Sequence, residues 1–506
     1  MHVGSRARTR VSTLIREAHS YLPKEALLEL EGIAQALEDP LRIAVVGRVN
    51  AGKSTLVNAL LGRRVAPTAG TECTRLVTHY RYATGQFQAA VVLRDGAQIE
   101  LGGFHGDRLP ENLPTGIDEQ QVARLEVGLP SAALKHRVVI DTPGLETVTT
   151  ELDEATRDAI LGRLSSSGSP GSAPTADVIV FVFKDIHRAD EREFIRRFVA
   201  STNRAASAIN AIGVLSHADS HGSGAAGDDD PIEAARDTAQ RISDDHRGDL
   251  STVVPLSGLL AETTRCGRLR EDDRRCLAAL TSVNRTVLAH WHPEEGTQVL
   301  GGEAAELESE QIGRLFRLLA PYGVEVARDV ADEGLAAIQR LLLGRSGIAT
   351  LEEVLQERFQ LRADVLKANH ALSALERLGE DRHTGTAGER LLEDLEDLRL
   401  HPELHVLREL DALDDLARDG FRDGEVHQAL EDLIGDEPAH AILDVAPDRV
   451  ELDGPQLARQ RATTALQWAN SARHPTVANA ARVASRSFYL LAQQLESTDA
   501  GNLEPS

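Results

Sequence analysis

Hydrophobic positions along the chain fall into three regimes. Before residue 40 they recur at helical spacing. Val11, Leu14, Ile15 and Leu22 mark one stripe, and Leu27, Leu30, Ala34 and Leu37 mark the next. The break near Pro23 predicts two helices rather than one. From 41 to about 260, short apolar runs alternate with helical segments. Residues 43–46, 138–140, 177–183, 211–216 and 252–258 are β-branched or continuously apolar and read as buried strands. That alternation is the rhythm of a parallel sheet covered on both faces. Beyond about 260 the strand signals fade. Leu361, Val365, Ala368, Leu372 and Leu375 alternate four and three residues apart, and Val477, Ala481, Ala484, Phe488, Leu491 and Leu495 do the same. These are seams for helix-on-helix packing. Residues 444–455 break the helical pattern and are expected to form a loop.

The pattern therefore predicts three parts: an N-terminal helical segment over 1–40, an α/β domain over 41–290 with a mostly parallel sheet, and a long helical region over 291–506. A length of 506 residues fits two to four domains. Aromatics make up 3% and hydrophobics 42% of the chain, which favours helix-rich packing. The net charge of −24 argues against a nucleic-acid footprint and against simple polybasic binding to anionic lipid. Cys73, Cys266 and Cys276 are odd in number and scattered, so neither a disulfide framework nor a zinc spacing is present and a reducing, cytoplasmic setting is expected. The Arg-rich N-terminus lacks the apolar core of a signal peptide, and no apolar run approaches the roughly 18 residues of a spanning helix. Any membrane contact is expected to be peripheral.

Two stretches, 165–175 and 220–230, are rich in Gly, Ser, Asp and Pro and read as loops. The run 228–230 is a solvated acidic loop rather than a metal site. His290 and His292, either side of Trp291, have no third ligand pattern beside them and are not expected to hold a metal.

The densest chemistry sits in RIAVVGRVNAGKSTLVNALLG, residues 42–62. A strand ends at Gly47, and a helical pattern with Leu56, Leu60 and Leu61 on one side begins at Ser54. Between them Gly47, Arg48, Val49, Asn50, Ala51, Gly52, Lys53 and Ser54 fit GxxxxGK[ST], followed by Thr55. Successive backbone N–H groups in such a loop curl into an anion-binding nest, and the helix N-terminus adds donors and partial positive charge. Lys53 is placed to reach the β- and γ-phosphates of a nucleoside triphosphate, and the Ser54 hydroxyl to ligate Mg²⁺.

DTPG (141–144) follows an apolar strand about 90 residues later. The Asp141 carboxylate can hold the Mg²⁺ water shell, and the Gly144 N–H can sense the γ-phosphate. Between the two motifs Thr68, Thr71, Thr74 and Thr78 are candidates for a threonine that ligates Mg²⁺ through its hydroxyl and the attacking water through its carbonyl; Thr78 also reads simply as a strand residue. After the apolar run 211–215 comes Ser216-His217-Ala218-Asp219, at the place of the [NT]KxD guanine reader. Asp219 can accept from the guanine N1–H and N2–H₂, and His217 replaces the usual lysine with an imidazole that can stack on the base. PLSG (255–258) occupies the place of the last base-contacting loop, with Ser257 or Gly258 as backbone donors.

With these motifs the sequence resembles the dynamin superfamily, in particular bacterial dynamin-like proteins. The carrying residues are GRVNAGKSTLVNALLG, APTAGTECTRLVTHYRY (66–82), VVIDTPGLE and VLSHAD, which span roughly 45–220. The region 343–378, with SGIATLEEVLQERF, looks like the isoniazid-inducible dynamin-like proteins of mycobacteria and their actinobacterial relatives. The resemblance implies a GTPase that binds GTP and GDP with Mg²⁺, with Thr74 as the switch threonine, Asp141 on the Mg²⁺ side and Asp219 as the guanine reader. It also implies neck and trunk helical bundles, with the N-terminal helices joining the neck. Dimerisation across the nucleotide face, with a second copy or a related subunit, and membrane remodelling would follow.

Three departures qualify it. Eukaryotic dynamins carry a catalytic glutamine two residues after the first P-loop glycine, where this chain has Val49. Leu145 follows DTPG, so no glutamine orients water there either. Hydrolysis is expected to be slow without a partner. No aromatic-rich tip is apparent for membrane insertion: residues 315–324 and 337–348 are the most apolar helical stretches, and burial in the bundle accounts for them. A Ras-like GTPase of ribosome assembly is the alternative enzyme reading, disfavoured by the acidic charge. A non-hydrolysing scaffold that keeps bound nucleotide is the third.

Overall fold

The computed structural model describes residues 3–67, 76–85, 87–93, 97–102, 117, 121–144, 176–184, 210–222, 230–292, 294, 296–360, 362–422, 424–434 and 438–501. The chain opens with helices α1 (Val3–Ala18) and α2 (Lys24–Glu38), the second starting directly after Pro23. Among the described residues nine strands follow: β1 (Leu41–Gly47), β2 (Thr78–Tyr82), β3 (Gln88–Leu93), β4 (Gln98–Leu101), β5 (Val122–Leu129), β6 (Arg137–Asp141), β7 (Val178–Phe183), β8 (Ala211–Ser216) and β9 (Val253–Leu256). They form one sheet in the order β4-β3-β5-β2-β6-β1-β7-β8-β9. The β6-β1-β7-β8-β9 half is all parallel, as is the β2–β5 pair. The β2–β6, β3–β4 and β3–β5 pairs are antiparallel. The apolar runs read as strands all fall in the parallel half; β2, β3, β4 and β5 lie outside them.

Helices α3 (Lys53–Leu61), α4 (Pro231–Asp245), α5 (Gly258–Arg265), α6 (Glu271–Ala279) and α7 (Arg285–Ala289) belong to the sheet region. Then come α8 (Ser309–Arg328), α9 (Leu335–Ser346) and α10 (Ile348–Val354), a π-helical segment over Leu355–Gln360, α11 (Ala363–Glu380) and α12 (Gly385–Arg399). The chain closes with α13 (His405–Arg418), α14 (Glu425–Ile434), α15 (Ala439–Leu443), α16 (Val450–Ser471) and α17 (Pro475–Gly501), the last two running alongside each other.

Alternation along the strands sorts the sheet's residues onto two faces. On one face Ile43, Val45, Val139, Val180 and Val214 share a core with α3, the N-terminal helices, α10, α11 and α13. On the other, Ala44, Val46, Ile140, Phe181 and Leu215 pack against α4, α6, α8 and α9 as far as Leu342. The apolar stretches 315–324 and 337–348 are buried, as expected, but chiefly against helices α5 and α6 of the sheet region rather than inside the bundle. Leu315, Leu319 and Tyr322 lie in this second core, as do Ile338 and Leu342. The α8 helix kinks at Ala320, just before Pro321, whose missing N–H interrupts the ladder. The segment 444–455 differs from expectation. Asp444 ends α15 in a left-handed turn, yet α16 is already helical from Val450 and carries Pro455 within it. Packing of α16 on α17 overrides the one intrahelical bond that Pro455 forgoes.

A buried polar network ties the sheet to the bundle. Asp177, 4% exposed, precedes β7 and accepts from the Arg42 amide at 2.8 Å. Its carboxylate meets Lys367 Nζ at 3.2 Å and His370 Nδ1 at 3.2 Å, both on α11. Lys367 also donates to the Ala36 carbonyl of α2 at 2.8 Å. Burial alone would raise the Asp177 pKa; Lys367, His370 and the Arg42 amide together bring it below its ordinary value. Among the described residues no helix is long and apolar enough to cross a membrane.

Candidate functional site

The site forms where β1 runs into α3. Gly47 ends the strand against β7 so closely that a Cβ there would lie 2.2 Å from the Val182 carbonyl oxygen, a separation no side chain can take. Gly52 then caps the helix, and Lys53 and Ser54 open its first turn. Lys53 is 7% exposed and donates to the Arg48 carbonyl across the loop at 2.8 Å. Burial lowers its pKa to about 8, against the stabilising charge of Asp141.

Asp141 ends β6 beside β1, in register with Val45. Burial pushes its carboxyl up to about 6, opposed by Lys53, by a hydrogen bond from the Ser54 hydroxyl and by the Thr142 amide. Lys53, Ser54 and Asp141 thus converge although they come from motifs far apart in the chain. Asp141 Oδ1 is buried with no hydrogen-bond partner. A buried carboxylate oxygen left unpaired is costly unless something cationic meets it. A Mg²⁺ ion held between the Ser54 hydroxyl and this oxygen fits that requirement. No cluster of three or more His, Cys, Asp or Glu side chains with metal-binding spacing occurs among the described residues, so the ion would depend on a hydroxyl, one carboxylate and phosphate oxygens.

The next turn brings DTPG against the loop. Thr142 donates to the Val45 carbonyl at 2.8 Å, pinning this segment to β1. A Cβ on Gly144 would come within 2.7 Å of the Val49 side chain and 3.0 Å of its Cα, so only glycine allows the two loops this contact. Val49 itself is 47% exposed at the mouth of the site. Asn50 adopts the left-handed conformation, at φ 61°. Thr68, Thr71, Cys73, Thr74, Leu145 and Leu361 lie outside the described residues, as do the stretch 165–175 and most of 220–230. Thr78 is a buried strand residue paired with Asp141 across β2 and β6.

Asp219 and His217 follow β8 on the same edge of the sheet. Asp219 is buried in a short 3₁₀ turn, and His217 is left-handed at φ 55°. Burial, then Lys184, depress the His217 pKa, while Asp219 raises it; the ring is held towards its neutral form. Ser216 donates to the Phe183 carbonyl at 2.9 Å and its Cβ faces Gly52, which joins this strand end to the phosphate loop. Ser257 precedes α5 and is fully buried, but its amide donates to the Ser346 carbonyl at 2.8 Å. Gly258 sits against Thr55.

Two groups escape a reading of the sequence. Lys184, after β7, faces His217 electrostatically. Asn58, fully buried on α3, accepts from the amides of Val65 at 2.9 Å and Ala66 at 2.8 Å and donates to the Ala66 carbonyl at 3.2 Å and to Glu262 at 2.8 Å. It anchors the chain just before the threonine-rich segment. A polar residue inside an apolar helical run was the available signal. The acidic and histidine motifs are structural where described. Asp230 caps α4 and pairs with Arg345 and Tyr322. Trp291 stacks on Phe316 at 5.9 Å and donates to the Gly296 carbonyl, and His290 meets the Thr286 carbonyl.

A strand–loop–helix phosphate cradle with Lys53 and Ser54 facing a strand-end aspartate defines a P-loop nucleotide-binding protein. Residues 43–217 match the model of the dynamin family. The isoniazid-induced protein IniC of Mycobacterium tuberculosis H37Rv is 28% identical over 458 residues, covering 89% of each chain. Dynamin-like protein 2 of Campylobacter jejuni is 33% identical over 135 residues, 25% of this chain and 21% of that protein. A chain of an oligomerised bacterial dynamin pair aligns with 99% of this chain and 75% of its own length at 12% identity, with a TM-score of 0.30. Residues 43–217 thus carry a dynamin-family domain, and the chain as a whole is similar to bacterial dynamin-like proteins.

Proposed function

We propose that the protein binds and hydrolyses GTP with Mg²⁺, and that nucleotide state controls its association with a second copy or a related dynamin-like subunit. The observation that carries this is the convergence of Lys53, Ser54 and Asp141, with one carboxylate oxygen of Asp141 left unpaired in a buried site. Lys53 binds the β- and γ-phosphates, exchanging its bond to the Arg48 carbonyl for phosphate oxygens. The backbone of Gly47 to Ser54, with Thr55 following, cradles the phosphates. Asp219 accepts from the guanine N1–H and N2–H₂, and the neutral His217 ring covers the base. Ser54, Asp141 and Thr74 would hold Mg²⁺, which when bound supplies charge neutralisation on the phosphates.

Val49 stands where a water-orienting glutamine would, so the chain's own residues leave the attacking water to backbone groups. Association across the nucleotide face sets Thr74 against the nucleotide, fixes the water and excludes solvent; such positioning is worth orders of magnitude. The protein acts from the cytoplasmic side as a peripheral partner of the plasma membrane in its remodelling or maintenance, without nucleic acid.

The test is specific GTPase activity against protein concentration, with and without liposomes and candidate subunits. Activity should be slow when dilute and rise with concentration, or with the right subunit, and Thr74→Ala should abolish the rise while leaving GTP bound. Flat activity, equally fast in Thr74→Ala, would overturn the association-activated reading. Absence of turnover under every condition, with GTP still bound, would favour the non-hydrolysing scaffold.

A further inference from the structure

A cavity lies away from the phosphate loop, where the sheet region meets the bundle. It encloses about 340 Å³, within the range of small-molecule sites. The residues leading into β9 form one wall: the Ser251 amide donates to the start of β8 at the Ala211 carbonyl, and the Thr252 carbonyl accepts from the Gly213 amide. The cavity is therefore at the opposite ends of β8 and β9 from His217 and Ser257. The other walls come from the end of α4, the π-helical segment, α13 and α14, with Arg362 just before α11.

Its lining is cationic in a chain of net charge −24. Among the described residues that line it, Arg247, Arg358, Arg362 and Arg422 stand with two carboxylates, Asp244 and Glu431. Some of this charge is used. Arg247 pairs with Asp244 at 2.8 Å, Arg362 with Glu431 at 3.6 Å, and Arg422 donates to the Ser251 carbonyl at 2.9 Å. Arg362 nevertheless keeps a buried Nε with no hydrogen-bond partner, and Arg358 lies close enough to repel it. Gathering arginines around one cavity costs self-repulsion, and an anion relieves it. Planar guanidinium forks are the side chains best suited to phosphate oxygens. The backbone supplies an independent sign. Arg358 and the fully buried Phe359 enter the cavity from a π-helical segment, a rare conformation that recurs at functional sites.

We propose that this cavity binds a phosphate-bearing anion, of the size and charge of a diphosphate, that bridges the sheet region and the helical bundle. Arg358, Arg362, Arg247 and Arg422 hold it. The ligand contacts the loop before β9 on one side and the start of α11 and α14 on the other, so its binding stabilises the junction between them. The chemistry fits a soluble phosphorylated metabolite or a phospholipid headgroup equally.

The test uses inorganic pyrophosphate as the probe, titrated calorimetrically into the full chain carrying Lys53→Ala, so that the phosphate loop binds at least about tenfold more weakly. One site should remain, and saturating pyrophosphate should raise the melting temperature by mass action. Arg358→Ser and Arg247→Ser, at positions that are not buried, should each weaken binding by about tenfold or more with the unliganded melting temperature unchanged. Arg362→Lys, which keeps the charge but loses the buried Nε donor, should also weaken it. Vesicles of phosphatidylcholine with and without phosphatidic acid separate the sources. Sedimentation with phosphatidic acid that is lost in Arg358→Ser assigns a headgroup; pyrophosphate binding alone assigns a soluble ligand. No pyrophosphate binding in the Lys53→Ala chain, or binding indifferent to all three arginine variants, would overturn the proposal.

Discussion

Asp177→Ala tests how the nucleotide domain is held to the bundle. The carboxylate lies between the Arg42 amide of β1 and Lys367 and His370 of α11, at 2.8, 3.2 and 3.2 Å. At 3.2 Å and an effective dielectric of about 20, the Asp177–Lys367 attraction is about 5 kcal/mol. Desolvating the two ions costs several kcal/mol each, so the net worth of the intact pair is small. Breaking it is different, because Lys367 is 3% exposed and would be left buried with only the Ala36 carbonyl. The expected loss is roughly 3 kcal/mol, the lower end for a severed buried pair because that carbonyl remains. Replacing both partners, Asp177→Leu with Lys367→Met, should recover most of it. Hydrogen exchange of peptides from Ala363–Glu380 reads the local opening, and roughly a hundredfold loss of protection is expected in the single variant. A change below about 1 kcal/mol in Asp177→Ala, or a double variant worse than the single, would show that this carboxylate does not hold α11 to the sheet.

Glu409 on α13 is buried and its carboxyl is pushed up to about 7 by burial, opposed by a bond to Ser487. Between about pH 4.5 and 7 the folded protein keeps a proton that the unfolded chain releases, so stability should fall by about 3 kcal/mol as pH rises through that window. Urea unfolding at several pH values should show this slope, and Glu409→Gln should flatten it. Asp219→Asn should let xanthosine nucleotides replace guanosine ones in a competition assay, because the amide can donate to the xanthine 2-oxo group where the carboxylate only accepts.

How much of this is legible in the chain depends on whether a signal is local. The turn from 43–46 into Lys53 and Ser54 is specified by neighbours in sequence, and the structure forms it as read. The stripes in α1, α2 and α11 likewise become buried faces. Strands β4 and β5 leave a weak signal because exposed polar residues interrupt them, whereas β3 carries an apolar run over 89–93 at least as long as 43–46 of the parallel half, a signal that was available in the chain. An amphipathic stripe says that a face is buried but not against what. Residues 315–324 and 337–348 therefore point to the bundle yet pack on helices of the sheet region. Residue identity singles out Asp219 and Ser257 as candidates, but only the fold reveals that the Ser257 amide is taken by Ser346. Asn58 and Lys184 act through contacts with distant segments or neighbouring strand ends, which no spacing rule encodes.

Calorimetric binding of GTP and of ATP in the presence of Mg²⁺, to the wild-type chain and to Lys53→Ala, is the decisive measurement of nucleotide recognition at this site. The site should take one GTP in clear preference to ATP. Affinity should fall at least about tenfold in Lys53→Ala, the loss of one charge-assisted phosphate contact. Equal binding of ATP and GTP would contradict the guanine reading of Asp219, and wild-type GTP affinity in Lys53→Ala would contradict the site itself.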